Sequence, residues 1–162
     1  MISDNPISSD NNIPKAALIL GLAGVLPFVV FGLLAITLGG EIVTPKLADT
    51  LLIGYGAVIL SFTAGVRWGL ALTVPNENDQ ALQLTVSTVP SIIAWAACFM
   101  PFAYGLPLLA FTHAALAVWD IRGMYNGRGP IWYGKLRMIL AIIVVGILVV
   151  VGLVRYFMLL NG

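Results

Sequence analysis

The sequence has few charged residues, one histidine and one cysteine. Charged side chains make up 9% of the 162 residues and hydrophobic ones 60%, and the mean hydropathy is +1.01. Because soluble domains carry about 25% charged residues, this chain has too little polar surface for water and must be surrounded mostly by lipid. The net charge of +1 provides no basic surface for a nucleic-acid backbone, so we expect no nucleic-acid partner.

The scarcity of metal-binding side chains argues against common cofactor sites. Cys98 is the one cysteine and His113 the one histidine, whereas a disulfide within the chain, a zinc site of His and Cys ligands or a bis-histidine haem site needs more. The motifs H-E-x-x-H, G-x-S-x-G, the phosphate-binding loop and C-x-x-C are not found in the sequence. We therefore predict no metal, no cofactor and no enzymatic activity.

Five apolar segments are long enough to cross a bilayer, whose ~30 Å hydrocarbon core needs about 20 helical residues. They lie near residues 16–38, 50–73, 82–100, 103–119 and 136–160. The predicted fold class is all-α: a flexible polar tail over 1–14, then a single integral membrane domain of five transmembrane helices over 15–162. We expect kinks at Pro27 and Pro90, and Pro107 is expected to begin its helix.

Lysine and arginine are concentrated before the last apolar segment. This connection carries the residues of a predicted cytoplasmic basic loop, Arg122, Arg128, Lys135 and Arg137, whereas the connections after the first and third segments carry only Lys46. Cytoplasmic loops are rich in these residues. We therefore predict a cytoplasmic N-terminus and a periplasmic C-terminus. The loop sets topology and anchors the chain; binding of a partner or of anionic lipid is the alternative.

The predicted location is the inner membrane of a bacterium. The first fourteen residues are polar and contain no arginine. Mitochondrial transit peptides are rich in arginine, and signal peptides begin with a cationic region. The sequence therefore predicts neither kind of targeting segment.

Arg67 is a charged residue within the second apolar segment, in the stretch AGVRWGLAL (64–72). At 1.5 Å per residue it lies ~9 Å from the cytoplasmic end of its helix. Asp120 ends the fourth segment on the same side, so we predict a structural ion pair between Arg67 and Asp120. The alternatives are that Arg67 extends to the head groups or that it holds an anionic ligand.

The same helix carries small residues at a four-residue spacing. These are Ala57, Ser61, Gly65 and Gly69. Small residues at this spacing allow two helix backbones to approach closely in a membrane. We predict that they form a helix-packing face.

Other polar side chains lie in the cytoplasmic half or near the middle of the predicted bundle. His113 lies seven residues before Asp120, so both share one helix face. The simplest interpretation is structural: His113 packs through a hydrogen bond, and the hydroxyls of Ser87 and Thr88 bind backbone carbonyls. The alternative is a ligand pocket formed by Arg67, Ser87, Thr88, His113 and Asp120.

Four segments carry a resemblance to a known family: YGAVILSFTAGVRWG at 55–69, VPSIIAWAACFMP at 89–101, VWD at 118–120 and WYGKLRMIL at 132–140. They resemble the transmembrane protein sixty-nine family, small multi-pass proteins of proteobacteria and mitochondria. The resemblance implies a bacterial inner or a mitochondrial membrane, and it suggests that Arg67, Trp68 and Asp120 belong to the family's shared pattern. It brings no activity, cofactor or catalytic residue.

Together these patterns predict a non-enzymatic membrane protein. We expect an accessory, assembly or stabilising subunit of a larger membrane complex, respiratory or photosynthetic, with membrane lipid and another membrane protein as its partners. The alternative is a lipid- or quinone-binding protein, or a small-solute transporter, that uses the polar side chains on the cytoplasmic side.

Overall fold

The computed structural model describes residues 12–37, 44–127 and 129–161, and these form helices and no strand. The helices are α1 (Lys15–Ala23), α2 (Leu26–Ile36), α3 (Pro45–Ala71), α4 (Glu77–Ala97), α5 (Phe102–Tyr125) and α6 (Ile131–Asn161). Arg128 of the predicted basic loop and residues 1–11 of the predicted tail lie outside the described residues.

Among the described residues, four helical stretches are long and apolar enough to cross a membrane. They are α1 and α2 taken together, α3, α5 and α6, so the predicted all-α membrane fold is confirmed at this level. The third predicted span corresponds to α4, which has the length of a span. Its first two turns, however, carry the polar residues ENDQ and Gln83, so its composition separates it from the other four stretches.

The polar starts of α3 and α4 follow from capping. Thr44 accepts the backbone N–H of Leu47 at 3.3 Å before α3. Asn76 Oδ1 accepts the N–H groups of Asn78 and Asp79 at 3.0 and 3.2 Å before α4. These contacts satisfy N–H groups that the first helical turn leaves without an acceptor.

The first membrane-spanning stretch is interrupted where a kink at Pro27 was predicted. α1 ends at Ala23 and α2 begins at Leu26, just before the proline that cannot donate a backbone hydrogen bond. Tyr55 of α3 donates its hydroxyl to the carbonyl of Gly24 at 2.8 Å. The interruption is therefore bound to the neighbouring helix.

The other prolines lie within continuous helices. Pro90 is inside α4 and Pro107 is inside α5. The prediction that Pro107 begins its helix is wrong, because α5 begins about one turn earlier, at Phe102. Pro101 has a ψ of 142°, which is outside the helical region and sets the start at the next residue.

α3 and α5 run parallel to each other. His113 contacts Gly56, and further along both helices Asp120 contacts Arg67. Residue numbers thus rise in the same direction in both helices.

α4 returns the chain between these two parallel helices. Near one end of the bundle, Gln80 Nε2 donates to the carbonyl of Ala71 at 3.3 Å. Near the other end, a Cβ placed on Gly105 would lie 2.8 Å from the carbonyl oxygen of Ala97. α4 therefore lies alongside most of the length of α3 and α5.

The core lies where α2, α3, α5 and α6 meet. Its largest apolar members have at most 2% of their surface exposed: Phe28, Leu52, Leu60, Leu106, Leu109 and Leu148. Large apolar side chains also cover the outside, among them Phe62, Phe111 and Leu159. An apolar exterior suits a bundle surrounded by lipid.

Candidate functional site: a buried ion cluster

A charged cluster lies inside the bundle at the end where α3 and α5 finish and α6 begins. It consists of Arg67 from α3, Asp120 from α5 and Arg137 from α6, which are 2%, 0% and 5% exposed. Arg137 Nε donates to Asp120 Oδ2 at 3.0 Å. Arg67 Nε lies 3.6 Å from Asp120 Oδ1. One carboxylate thus joins three helices.

The two guanidiniums depend on this carboxylate. Taking a charge out of water costs several kcal/mol unless an opposite charge and hydrogen bonds compensate for it. In the ion cluster, two cations face the single carboxylate of Asp120, and each approaches it through Nε. Asp120 is therefore the carboxylate that both guanidiniums face.

The position of the Arg67 guanidinium depends on a glycine one turn after Asp120. A Cβ placed on Gly123 would lie 2.8 and 2.9 Å from Nη1 and Nη2 of Arg67, closer than van der Waals contact allows. The Trp119 ring centroid lies 5.9 Å from the guanidinium carbon, within the range of cation–π interaction. The guanidinium is thus held between the carboxylate, the α5 backbone and an aromatic ring.

The turn between α5 and α6 closes this end of the bundle. Gly127 has a φ of 74°, a conformation that glycine adopts without strain. Met124, one turn after Asp120, is 2% exposed, and a Cβ on Gly134 would lie 3.1 Å from its Cβ. The two helices therefore approach closely beside the ion cluster.

Sequence reasoning missed the inward position of Arg137, which it assigned to the cytoplasmic basic loop. α6 begins at Ile131 rather than near residue 136, so Arg137 is already in its second turn. A signal was available, because all the buried positions of α6 except Leu136 repeat every three or four residues: Gly134, Arg137, Ala141, Val144, Leu148 and Val151. Extended backwards, the apolar stripe includes Arg137.

The other basic residues near this end are more exposed. Arg122 is exposed in the last turn of α5, and Lys135 is half-buried in the first turns of α6. Lys15, at the start of α1, is exposed. Cationic side chains are thus concentrated at the end that holds the ion cluster.

The structure does not gather the five residues of the predicted ligand pocket around one cavity. It brings Arg67 and Asp120 together, whereas Thr88 is exposed on the outside of α4. Ser87 is buried, and its hydroxyl donates to the carbonyl of Leu84 at 2.6 Å. Thr88 donates to the same carbonyl at 2.9 Å.

His113 connects α5 to α3 nearer the middle of the bundle. Its Nε2 lies 3.1 Å from the carbonyl oxygen of Gly56, and because a carbonyl only accepts, Nε2 carries the proton. The ring meets Phe28 edge to face with 6.2 Å between centroids. This arrangement is that of a packing residue with a satisfied hydrogen bond.

The small residues of α3 divide between the inside and the outside of the bundle. Ala57 is buried, whereas Gly65 and Gly69 are exposed, and a Cβ at either glycine would meet nothing within 4 Å. Ser61, half-buried, lies between. The predicted packing face is therefore largely unused inside this chain.

A second ion pair lies at the opposite end of the bundle. Arg155 of α6 donates Nη2 to Asp49 Oδ2 of α3 at 2.9 Å and Nη1 to the carbonyl of Ala35 at 3.1 Å. The Arg155 side chain is 21% exposed and that of Asp49 17%. We call Asp49 and Arg155 the rim pair.

Comparisons with known proteins agree with the sequence resemblance. The family described as "Protein of unknown function (DUF3429)" matches residues 13–153. Transmembrane protein 69 of Xenopus tropicalis is 38% identical over 138 residues, which are 82% of this chain and 51% of that protein. Transmembrane protein 69 of Mus musculus is 40% identical over 86 residues, 52% of this chain and 34% of that protein.

This chain thus spans about half the length of the frog relative and a smaller share of the mouse one. No solved structure matches it. The predicted resemblance to the transmembrane protein 69 family is confirmed by these relatives.

Proposed function

Because this chain belongs to the DUF3429 family of membrane proteins related to transmembrane protein 69, we propose that it is a non-enzymatic accessory, assembly or stabilising subunit of a larger membrane complex, respiratory or photosynthetic. The observation that carries the proposal is the outward stripe of α3, formed by Gly54, Val58, Ser61, Gly65 and Gly69. Its partner is a transmembrane helix of another membrane protein.

The glycines of the outward stripe have no role in packing this chain. A Cβ at Gly54, Gly65 or Gly69 would meet nothing within 4 Å. Glycine inside a helix is less favourable than alanine by roughly 0.5–1 kcal/mol. A second helix that approaches closely from outside gives these glycines a purpose, because van der Waals contact between backbones drives helix association in lipid.

The non-enzymatic role is supported by how the polar side chains are used. Ser87 binds a backbone carbonyl of its own helix, and His113 binds one of α3. The ion cluster joins three helices through Asp120. Each of these groups thus has a structural contact that accounts for its presence.

The proposal includes five membrane crossings, with the N-terminus in the cytoplasm and the C-terminus in the periplasm of a bacterial inner membrane. The parallel course of α3 and α5 supports this count, since two parallel spans need a return crossing and α4 lies between them in the chain. The cationic residues at the end of the ion cluster support the orientation.

Cysteine labelling tests the orientation. Single cysteines at Arg122 and Lys46, in a Cys98→Ala background because Cys98 is exposed, are treated with a membrane-impermeant maleimide. We expect residue 46 to react from the periplasm and residue 122 only after the membrane is opened. The reverse pattern would overturn the orientation, and reaction of both from one side would overturn the five crossings.

Photo-crosslinking in intact membranes tests the partner. A photoreactive residue at Gly65 should give one discrete adduct with another membrane protein, and the added change Gly69→Ile should remove it. The matched control is a photoreactive residue at Gly146 of α6. This glycine is also exposed, and a Cβ placed on it would also meet nothing within 4 Å. An adduct of two copies of this chain, an adduct with lipid alone, or the same adduct from both positions would refute the proposal.

A second candidate function is binding of a lipid, a quinone or a small solute. The polar side chains at the end of the bundle that holds the ion cluster would form the binding site. This function is favoured by two buried donors, Gln83 Nε2 and Arg137 Nη2, which have no hydrogen-bond acceptor among the described residues. A buried donor left unsatisfied costs about 1–3 kcal/mol. Native mass spectrometry should then detect one bound molecule per chain that Arg137→Met releases, and an empty site would end this candidate.

A further inference from the structure

A groove of about 690 Å³ opens on the outside of the bundle between α5 and α6. It lies away from the outward stripe of α3 and runs toward the end of the bundle opposite the ion cluster. Its lining includes the small residues Ala103, Ala114 and Gly152, which form a channel between bulkier neighbours such as Phe111 and Tyr156. In a membrane this groove faces lipid.

The dimensions of the groove fit a single extended hydrocarbon chain. On α5 the lining runs from Phe102 to Ala114 and on α6 from Val145 to Leu159, which is ~20 Å at 1.5 Å per residue. One leaflet accounts for about half of the ~30 Å hydrocarbon core. The volume of about 690 Å³ extends over this length, so the accessible space is narrow compared with its length.

The groove has a cation at its outer end. Arg155 is the charged member of its lining, and its guanidinium carbon lies 5.3 Å from the ring centroid of Phe102, which also lines it. Contacts with Asp49 and Ala35 hold the guanidinium in place, while 21% of the side chain stays exposed. Lys46, exposed one turn before Asp49, is a second cationic side chain at this end.

We propose that the groove binds one anionic glycerophospholipid, with an acyl chain between α5 and α6 and its phosphate beside Arg155. The apolar lining excludes the polar part of the lipid from the groove, and the guanidinium fixes the head group at its end. Arginine has five N–H donors, and the described contacts to oxygen use one on Nη1 and one on Nη2, so donors remain for a phosphate oxygen. The site is separate from the ion cluster and from the outward stripe.

Native mass spectrometry of the whole chain tests this proposal. The chain is reconstituted in nanodiscs with equal amounts of palmitoyl-oleoyl phosphatidylglycerol and the phosphatidylcholine with the same chains, then released into the gas phase. We expect one retained lipid per chain and a preference for phosphatidylglycerol of about tenfold, the ratio that ~1.4 kcal/mol of charge-assisted contact provides.

Variants separate the two parts of the site. Ala103→Trp, at an exposed position of the lining, and Gly152→Phe should each block the groove and remove the retained lipid. Gly146→Phe is the matched control, because Gly146 lies on α6 in a neighbouring apolar groove with α2. The charge-balanced variant Asp49→Asn with Arg155→Gln should keep a bound lipid but lower the preference to about one.

Three results would overturn the proposal. Equal retention of the two lipids by the unchanged chain would remove the role of Arg155. Lipid retention that survives both Ala103→Trp and Gly152→Phe would place the lipid elsewhere. A copurifying protein that protects the groove and leaves no lipid bound would assign the groove to a different occupant.

Discussion

The two ends of the bundle hold their charges in different ways. At one end, the ion cluster places one carboxylate between two guanidiniums, with all three side chains at most 5% exposed. At the other end, the rim pair sets one carboxylate against one guanidinium with 17% and 21% of the side chains exposed. The ion cluster and the rim pair each connect α3 to α6. The carboxylate of the ion cluster comes from α5, whereas that of the rim pair comes from α3.

From this difference we expect that burial, rather than distance, decides how much the fold depends on an ion pair. The rim pair is the shorter contact, at 2.9 Å against 3.6 Å between Arg67 and Asp120. Solvent, however, screens a partly exposed pair, and exposed pairs contribute ~0–1 kcal/mol. Removing one member of a buried pair leaves an uncompensated charge, which costs about 3–5 kcal/mol.

Removal of the central carboxylate is expected to have the largest effect. Asp120→Ala leaves the guanidiniums of Arg67 and Arg137 together inside the bundle, so the free energy of unfolding should fall by about 3–5 kcal/mol. Titration with SDS in mixed micelles measures this quantity. Asp49→Ala at the rim is the control, and an equal loss in both variants would contradict the comparison of the two ends.

Substitution of Gly123, which lies against the guanidinium of Arg67, should have the next largest effect on stability. Gly123→Ala places a Cβ within 3 Å of the guanidinium nitrogens of Arg67, and overpacking of this kind typically costs about 1–3 kcal/mol. Gly54→Ala in α3, where a Cβ meets nothing, should instead stabilise the chain by roughly 0.5–1 kcal/mol.

A double-mutant cycle shows whether the cause is contact with Arg67. In an Arg67→Ala background, Gly123→Ala should lose most of its effect, because the side chain that it displaces is gone. Additive losses would mean that Gly123 acts through α5 alone.

The hydrogen bond of His113, nearer the middle of the bundle, offers a case without an ion pair. His113→Phe keeps most of the ring volume and removes the hydrogen bond to the Gly56 carbonyl, so we expect a loss of ~1 kcal/mol in the same SDS titration. His113→Ala adds a cavity and should cost about 3 kcal/mol. A loss for the phenylalanine variant as large as that for Asp120→Ala would mean that charge is not what distinguishes the ion cluster.

Hydropathy and spacing were sufficient to predict the helical membrane bundle and to put Arg67 and Asp120 at one depth. Crossing a bilayer constrains length and composition strongly, so these signals are readable in a single sequence. α4 is where they fall short, because the polar residues in its first turns reduce its hydropathy. α4 packs against α3 and α5, the parallel helices that precede and follow it in the chain. Nothing in the composition of α4 indicates this packing.

The direction in which a side chain points was harder to predict. Arg137 was assigned to the loop because a cation near a span end usually marks topology, and only the periodicity of α6 indicates that it faces inward. Gly65 and Gly69 were expected to pack, but which neighbour they meet depends on the arrangement of the whole bundle. The role of Gly123 follows from a distance to another helix, which no local pattern contains.

The smallest effect is expected at the rim pair, and salt sharpens the comparison there. Asp49→Asn keeps the shape of the side chain and removes its charge, so the free energy of unfolding should fall by ~1 kcal/mol or less. Since the Debye length falls from about 10 Å at 0.1 M salt to ~3 Å at 1 M, exposed charges interact more weakly as salt is added, and this difference should shrink further in 0.5 M NaCl. The loss caused by Asp120→Asn should persist, because salt does not reach the buried carboxylate. If added salt weakened both effects alike, the ion cluster would have to be open to solvent, and its distinction from the rim pair would disappear.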